Sequence, residues 1–191
     1  MKTLVVYLVF FLTSLTATAQ IDAKLNAGSA LTGGLNLAAE TPIGAQSSIS
    51  VGLAYSSLGL SFDKKEEYRY RNLRVIPGYR YYFAPRDGMD RFFVGAYGKL
   101  GRLTGIDRDT DARVSTARVA VGVLAGHKWV APSGFVFELN AGLGTAATFG
   151  GGGNGARGLL YDRAIGALSA VDLRLGILVG YRFPFGDGRR F

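Results

Sequence analysis

The chain has no cysteine. That excludes a disulfide framework and a lipid-modified N-terminal cysteine. It has a single histidine, His127, so a Ser-His-Asp mechanism has one imidazole to use. Five prolines and one tryptophan complete the sparse residues. After residue 19 no apolar run reaches the ~20 residues of a membrane-spanning helix, because Asp162, Arg163, Asp172 and Arg174 break the best candidate, 159–181. The one uninterrupted run, "LVVYLVFFL", follows Lys2 and leads to Ala17-Thr18-Ala19. A basic start, a short apolar core and a small-x-small site define a secretory signal peptide over 1–19, leaving 20–191 as one domain.

Apolar content is nevertheless high. Of 191 residues, 48% are hydrophobic and 28 are glycine, with a formal net charge of +8. A basic balance suits nucleic acid, a polyanionic surface or a solvated face. Export argues against nucleic acid, and the cations alternate with apolar residues instead of clustering. In "DLRLGILVGYRF", 172–183, every second residue is apolar. The same period of two recurs along the chain and predicts eight strands, at about 22–30, 34–42, 47–56, 72–83, 91–103, 114–130, 135–149 and 170–183. Tight Pro-, Gly- and Asp-containing connections alternate with longer ones at 57–71, 104–113 and 150–169. The fold class this predicts is all-β: an eight-stranded antiparallel transmembrane up-and-down barrel. Short turns and both termini then face the periplasm, in the outer membrane of a Gram-negative envelope.

A soluble barrel of the lipocalin type has the same alternation with the apolar face inward. The glycines choose between the two. Gly78, Gly95, Gly122, Gly126, Gly142, Gly144, Gly176 and Gly180 share the face of the cations. An eight-stranded interior is just wide enough for side chains, so long cations inside need small neighbours. On a solvated face so many strand glycines weaken the sheet without a packing reason. The charged face is therefore predicted to point inward, with Lys24, Glu40, Arg74, Arg80, Lys99, Arg118, Lys128, Glu138, Asp172, Arg174 and Arg182 forming an interior network.

Three descending strands end alike: Gly78-Tyr79-Arg80-Tyr81, Gly126-His127-Lys128-Trp129 and Gly180-Tyr181-Arg182-Phe183. Tyr79, Tyr81, Trp129, Tyr181 and Phe183 are read as an aromatic girdle at the periplasmic interface, joined by His127. The cations between them point inward. Glu138 is expected opposite Lys128, and Lys24 beside the eighth strand where the barrel closes. Lys24, Glu40, Arg80, Lys128, Glu138 and Arg182 then form one layer in which cations outnumber carboxylates, so waters or bound anions are expected to complete it.

On these residues the chain resembles a known family. "NLRVIPGYRYYF", "FFVGAYGKLG", "GVLAGHKW", "FELNAGLG" and "LRLGILVGYRF" resemble the small outer-membrane β-barrels of Bacteroidetes, of the OmpA/OmpX-like eight-stranded type, catalogued as a domain of unknown function. The early "KLNAGSALTGGLNLAAETPIG" fits that family's opening hairpin. The resemblance implies fold and compartment, and supplies no catalytic residues. It also implies that a terminal aromatic, Phe183 or Phe191, is read by the barrel-insertion machinery.

Three local motifs suggest chemistry and fall short of it. His127 has Ala125 and Trp129 at i±2, so no same-face serine flanks it. "DRDTD", 107–111, opens like a calcium loop but has Ala112 for the turn glycine and Arg118 for the bidentate glutamate. "GGGGNG", 150–155, lacks the helix and the Lys-Ser/Thr of a phosphate loop. The expected function is accordingly non-enzymatic, without cofactor or metal: a structural or adhesive monomer. Its expected partners are outer-membrane lipid and lipopolysaccharide, with a protein partner met through 57–71 and 150–169. The first alternative is a narrow anion-preferring pore lined by Arg74, Arg80, Arg118, Arg174 and Arg182. The second is a lipid-modifying enzyme.

Overall fold

The computed structural model describes residues 19–31, 33–63, 66–107, 113–150 and 170–185. The signal peptide predicted over 1–19 lies outside them apart from Ala19. The segment 151–169 with all of the glycine run but Gly150, most of "DRDTD" and Phe191 are outside them too. Eight strands are connected in sequence order: β1 (Ala19–Asn26), β2 (Gly34–Pro42), β3 (Ser47–Asp63), β4 (Glu66–Tyr82), β5 (Arg91–Asp107), β6 (Arg113–Val130), β7 (Phe135–Phe149) and β8 (Val171–Phe185). Each pairs antiparallel with the next, and β1 pairs with β8 from Ala19↔Phe185 to Asn26↔Leu178. The result is a closed up-and-down barrel with no free sheet edge.

The strand periodicity in the sequence is the periodicity of the wall. Even-numbered β4 residues Arg74, Ile76, Arg80 and Tyr82 turn inward, while Leu73, Val75, Tyr79 and Tyr81 are exposed. Pro77 sits within β4 and has no N–H to donate. The β4–β5 ladder accordingly runs through Val75↔Leu100 and resumes at Gly78↔Tyr97. Tight turns close one end at 43–46, 83–90 and 131–134. In the last of these Gly134 adopts φ 88°, and a Cβ there would meet the Tyr181 ring at 2.9 Å.

The far end departs from expectation. The first strand ends at Asn26, not Ala30, and Ala27–Leu31 forms a short helix, α1. Asn26 stops the strand because its carbonyl accepts the Ser29 hydroxyl at 2.7 Å, a local turn that competes with the ladder. In the segments expected as loops, 57–63, 66–71, 104–107 and 113 are strand. Ladder pairs continue from Ser57↔Arg71 to Asp63↔Glu66, and to Ile106↔Arg113 between β5 and β6. The strands β3 to β6 are 17 or 18 residues long against 8 and 9 for β1 and β2. One wall of the barrel therefore rises well above the other.

Candidate functional site: an ion-pair layer and a cationic upper lumen

Near the short-turn end the lumen is filled by one connected network. Glu40, on β2, accepts five donors. Ser48 Oγ (2.7 Å), Tyr82 Oη (2.6 Å) and Lys128 Nζ (2.9 Å) reach its Oε1; Arg80 (2.7 Å) and Lys24 reach Oε2. Glu138, on β7, accepts from Lys24 at 2.6 Å, Arg80 at 2.8 Å and Asn140 at 2.7 Å. Asp22, on β1, holds Lys128 at 2.8 Å and takes Arg182 through both carboxylate oxygens at 2.7 and 2.9 Å. The Arg80 guanidinium lies 4.7 Å from the Phe93 ring of β5, and the Lys128 ammonium 4.7 Å from the Tyr82 ring. All eight strands thus contribute. The side chains of Lys24, Lys128 and Glu138 are fully buried.

Burying so many charges is tolerable only when every one is paired and hydrogen-bonded. The sequence reading placed four cations and two carboxylates in this layer. The structure adds Asp22, and Tyr82 and Ser48 as neutral donors, so the layer holds four cations and three carboxylates. The pairing differs in one further respect. Lys128 and Glu138 face each other across the ladder, yet the Lys128 ammonium bonds Asp22 and Glu40, and Glu138 takes Lys24 and Arg80. Asp22 had a sequence signal. It stands two residues before Lys24 in a predicted strand, which puts both on one face. Tyr82 had the same one, two residues after Arg80.

The β4–β5 turn covers this end. Arg182 donates to the backbone carbonyls of Asp87 and, at 2.9 Å, Met89, and Met89 belongs to one buried apolar cluster with Tyr82, Phe93, Tyr97 and Leu124. Glycines make room for these groups. A Cβ on Gly180 would stand 2.1 Å from the Ala23 carbonyl oxygen and 2.8 Å from Lys24 Cγ; one on Gly122 would meet the Tyr97 ring at 2.7 Å.

The remaining predicted network residues are gathered higher in the lumen, around a single carboxylate. Asp172 pairs with Lys99 at 2.6 Å, accepts Tyr97 Oη at 2.7 Å and lies 3.9 Å from Arg118. Arg174 lies 5.2 Å from the Tyr97 ring. Arg74 is inward on β4, and its buried Nε has no hydrogen-bond partner among the described residues.

The outer face is the reverse of the inner one. Tyr79, Tyr81, Trp129, Tyr181 and Phe183 are all exposed, at the short-turn end, with Phe83, Phe92 and Phe135 beside them. Tyr81 meets Phe83 edge-on at 5.2 Å and Tyr181 meets Phe183 at 5.0 Å. His127 stacks on Trp129 at 4.2 Å in a hollow of about 540 Å³ shared with Phe83, Asp90, Arg91 and Phe92. Among the described residues no group of three or more His, Cys, Asp or Glu is arranged to hold a metal ion.

Fold and interior together define a class: a closed eight-stranded antiparallel β-barrel whose interior is packed with ion pairs. A family model described as "Protein of unknown function (DUF3575)" matches residues 4–149, and the chain belongs to that family. No curated protein and no solved structure matches it.

Proposed function

We propose that the protein is a transmembrane barrel of the outer membrane, of the Bacteroidetes type suggested by its sequence motifs, with a non-enzymatic structural or adhesive role and a lumen sealed at its periplasmic end. One observation carries the membrane reading. The outward positions form an apolar band without a charged residue on any strand. On β5 the band runs through Phe92, Val94, Ala96, Gly98 and Leu100 before Arg102; on β8 it runs from Val171 to Phe183. Leu173 and Leu175 are 74% and 82% exposed. In water this arrangement leaves the larger hydrophobic surface solvated while charges are buried, the opposite of what burial favours. In lipid it is the expected one. Nine to eleven residues at about 3.3 Å each, tilted by roughly 40°, span about 23–28 Å, which matches the ~25 Å apolar band of such barrels. The aromatic belt then sits at the inner interface, and the strand ends Ala19 and Phe185 on the periplasmic side.

The ion-pair layer supports a sealed barrel over a pore. Of the five arginines that would line an anion path, Arg80 and Arg182 are committed to carboxylates in the layer. An adhesive role would fall to the raised wall formed by β3 to β6, where paired strand at 57–63 and 66–71 replaces the loop expected at 57–71. The parity of His127 supports a place in the aromatic belt in preference to catalysis. Membrane fractionation read on unheated and boiled gels tests the reading. Recovery in the outer-membrane fraction with a heat-dependent mobility shift is expected. Recovery as a soluble protein with no shift would defeat it.

A further inference from the structure

We propose that the upper lumen is a binding site for a phosphate-class dianion, held between Arg74 of β4 and Arg174 of β8. The described residues there carry four cations, Arg74, Lys99, Arg118 and Arg174, and one carboxylate, Asp172. That carboxylate is already spent on Lys99 at 2.6 Å and Tyr97 at 2.7 Å. Arg118, 3.9 Å from it, also donates to the Val171 carbonyl at 3.2 Å. Among the described residues Arg74 and Arg174 have no ion pair. The buried Nε of Arg74 has no acceptor, and the Arg174 guanidinium rests against the Tyr97 ring.

Two guanidiniums inside a barrel, close to other cations, are costly without a counter-charge. The ion-pair layer supplies none, because its three carboxylates already serve four cations. Four cations against one carboxylate leave a surplus of three among the described residues, and the two without an ion pair, Arg74 and Arg174, call for a dianion between them. Guanidinium forks match the tetrahedral oxygens of a phosphate with paired, charge-assisted hydrogen bonds. Small neighbours leave room for the arginine stems: a Cβ on Gly101 would stand 2.8 Å from Arg74 Cγ. The ladder neighbours of Arg74 are Ala54 and Gly101, and that of Arg174 on β7 is Gly142. Entry is from the far end, where the Arg118 side chain is 42% exposed. Below the site the ion-pair layer closes the lumen, so the anion occupies a dead end and not a path. The site depends on the interior alone and not on what surrounds the outer face.

The test is a calorimetric titration of inorganic phosphate into the full chain, folded in a sugar-headgroup detergent with chloride as background. One phosphate per barrel is expected. Arg74→Gln and Arg174→Gln should each weaken binding by about tenfold or more, the loss of a charge-assisted bond, whereas Arg86→Gln, on an exposed turn, should leave it unchanged. The heat-dependent gel shift reports whether each variant is folded, and either lumen variant suffices. A phosphorylated glycolipid that competes with phosphate would assign the site to a lipid headgroup. Failure to compete would assign it to a soluble phosphate ester; both outcomes uphold the site. No saturable binding up to about 10 mM phosphate, or binding indifferent to both substitutions, would overturn it and leave the membrane reading intact.

Discussion

Glu40→Gln is the most informative single change in the ion-pair layer. The glutamate accepts from three cations, Lys24, Arg80 and Lys128, and from the hydroxyls of Ser48 and Tyr82. The substitution keeps size and one acceptor oxygen but removes the charge. The layer passes from four cations and three carboxylates to four and two, and an amide N–H₂ is turned toward donors. Breaking a buried pair by removing one partner costs about 3–5 kcal/mol, a large share of the ~5–15 kcal/mol that holds a typical domain. Lys128→Met is predicted to behave differently. It removes the surplus cation, leaves three cations with three carboxylates, and Asp22 keeps its two bonds to Arg182. Both carboxylates it leaves keep other cations, Asp22 with Arg182 and Glu40 with Lys24 and Arg80, so no charge is left unpaired and its cost should be well below that of Glu40→Gln. The pair Glu40→Gln with Lys128→Met restores the original imbalance of one and should recover at least about 1.5 kcal/mol of the Glu40→Gln loss. Denaturant unfolding followed by Trp129 fluorescence measures all three, with the slope checked for constancy. A Glu40→Gln variant within about 1 kcal/mol of the parent, or a Lys128→Met variant equally damaged, would refute the charge accounting.

Leu175→Arg places a charge on the most exposed apolar position of β8. In a bilayer it should cost about 2–4 kcal/mol, measured by unfolding from lipid vesicles, whereas a solvated face would tolerate it. Gly180→Ala brings a Cβ to 2.1 Å from the Ala23 carbonyl oxygen and should open the β1–β8 seam. A loss of about 1–3 kcal/mol and faster amide exchange along β1 are expected, and unchanged exchange would remove the close-packing argument. Planar-bilayer recordings of well-folded protein should show no unit conductance steps. Reproducible anion-selective steps would overturn the sealed lumen.

Much of this molecule is legible in the sequence because a barrel wall repeats one rule. The alternation through Leu73, Arg74, Val75 on β4 and Leu173, Arg174, Leu175 on β8 assigns both faces without tertiary information. So does the rule that glycines on the charged face leave room for the cations, which the structure shows at Gly180 beside Lys24. What was missed has two physical causes. The layer's third carboxylate, Asp22, stands at the start of the strand predicted over 22–30 although β1 begins at Ala19, and its tyrosine donor, Tyr82, closes β4, so alternation has few neighbours to support either. Which carboxylate takes which cation is set across the lumen, not along the ladder, so Lys128 passes over its ladder partner Glu138 for Asp22 and Glu40. At the far end, "DKKEEYRYR" reads as a loop by its charge. Its described residues, Asp63 and 66–71, are nevertheless paired strand, because ladder hydrogen bonds do not require an apolar face. The turn after Asn26 depends on a local side-chain contact with a five-residue helix, below the reach of periodicity.

The central claim is that the outer face meets lipid, and Trp129 is the one tryptophan that can report on it. In vesicles containing nitroxide-labelled lipids its emission should be blue-shifted. It should be quenched most by labels near the headgroup, less by labels at mid-chain, and little by aqueous iodide. Emission untouched by lipid-borne quenchers and quenched freely by iodide would contradict the account.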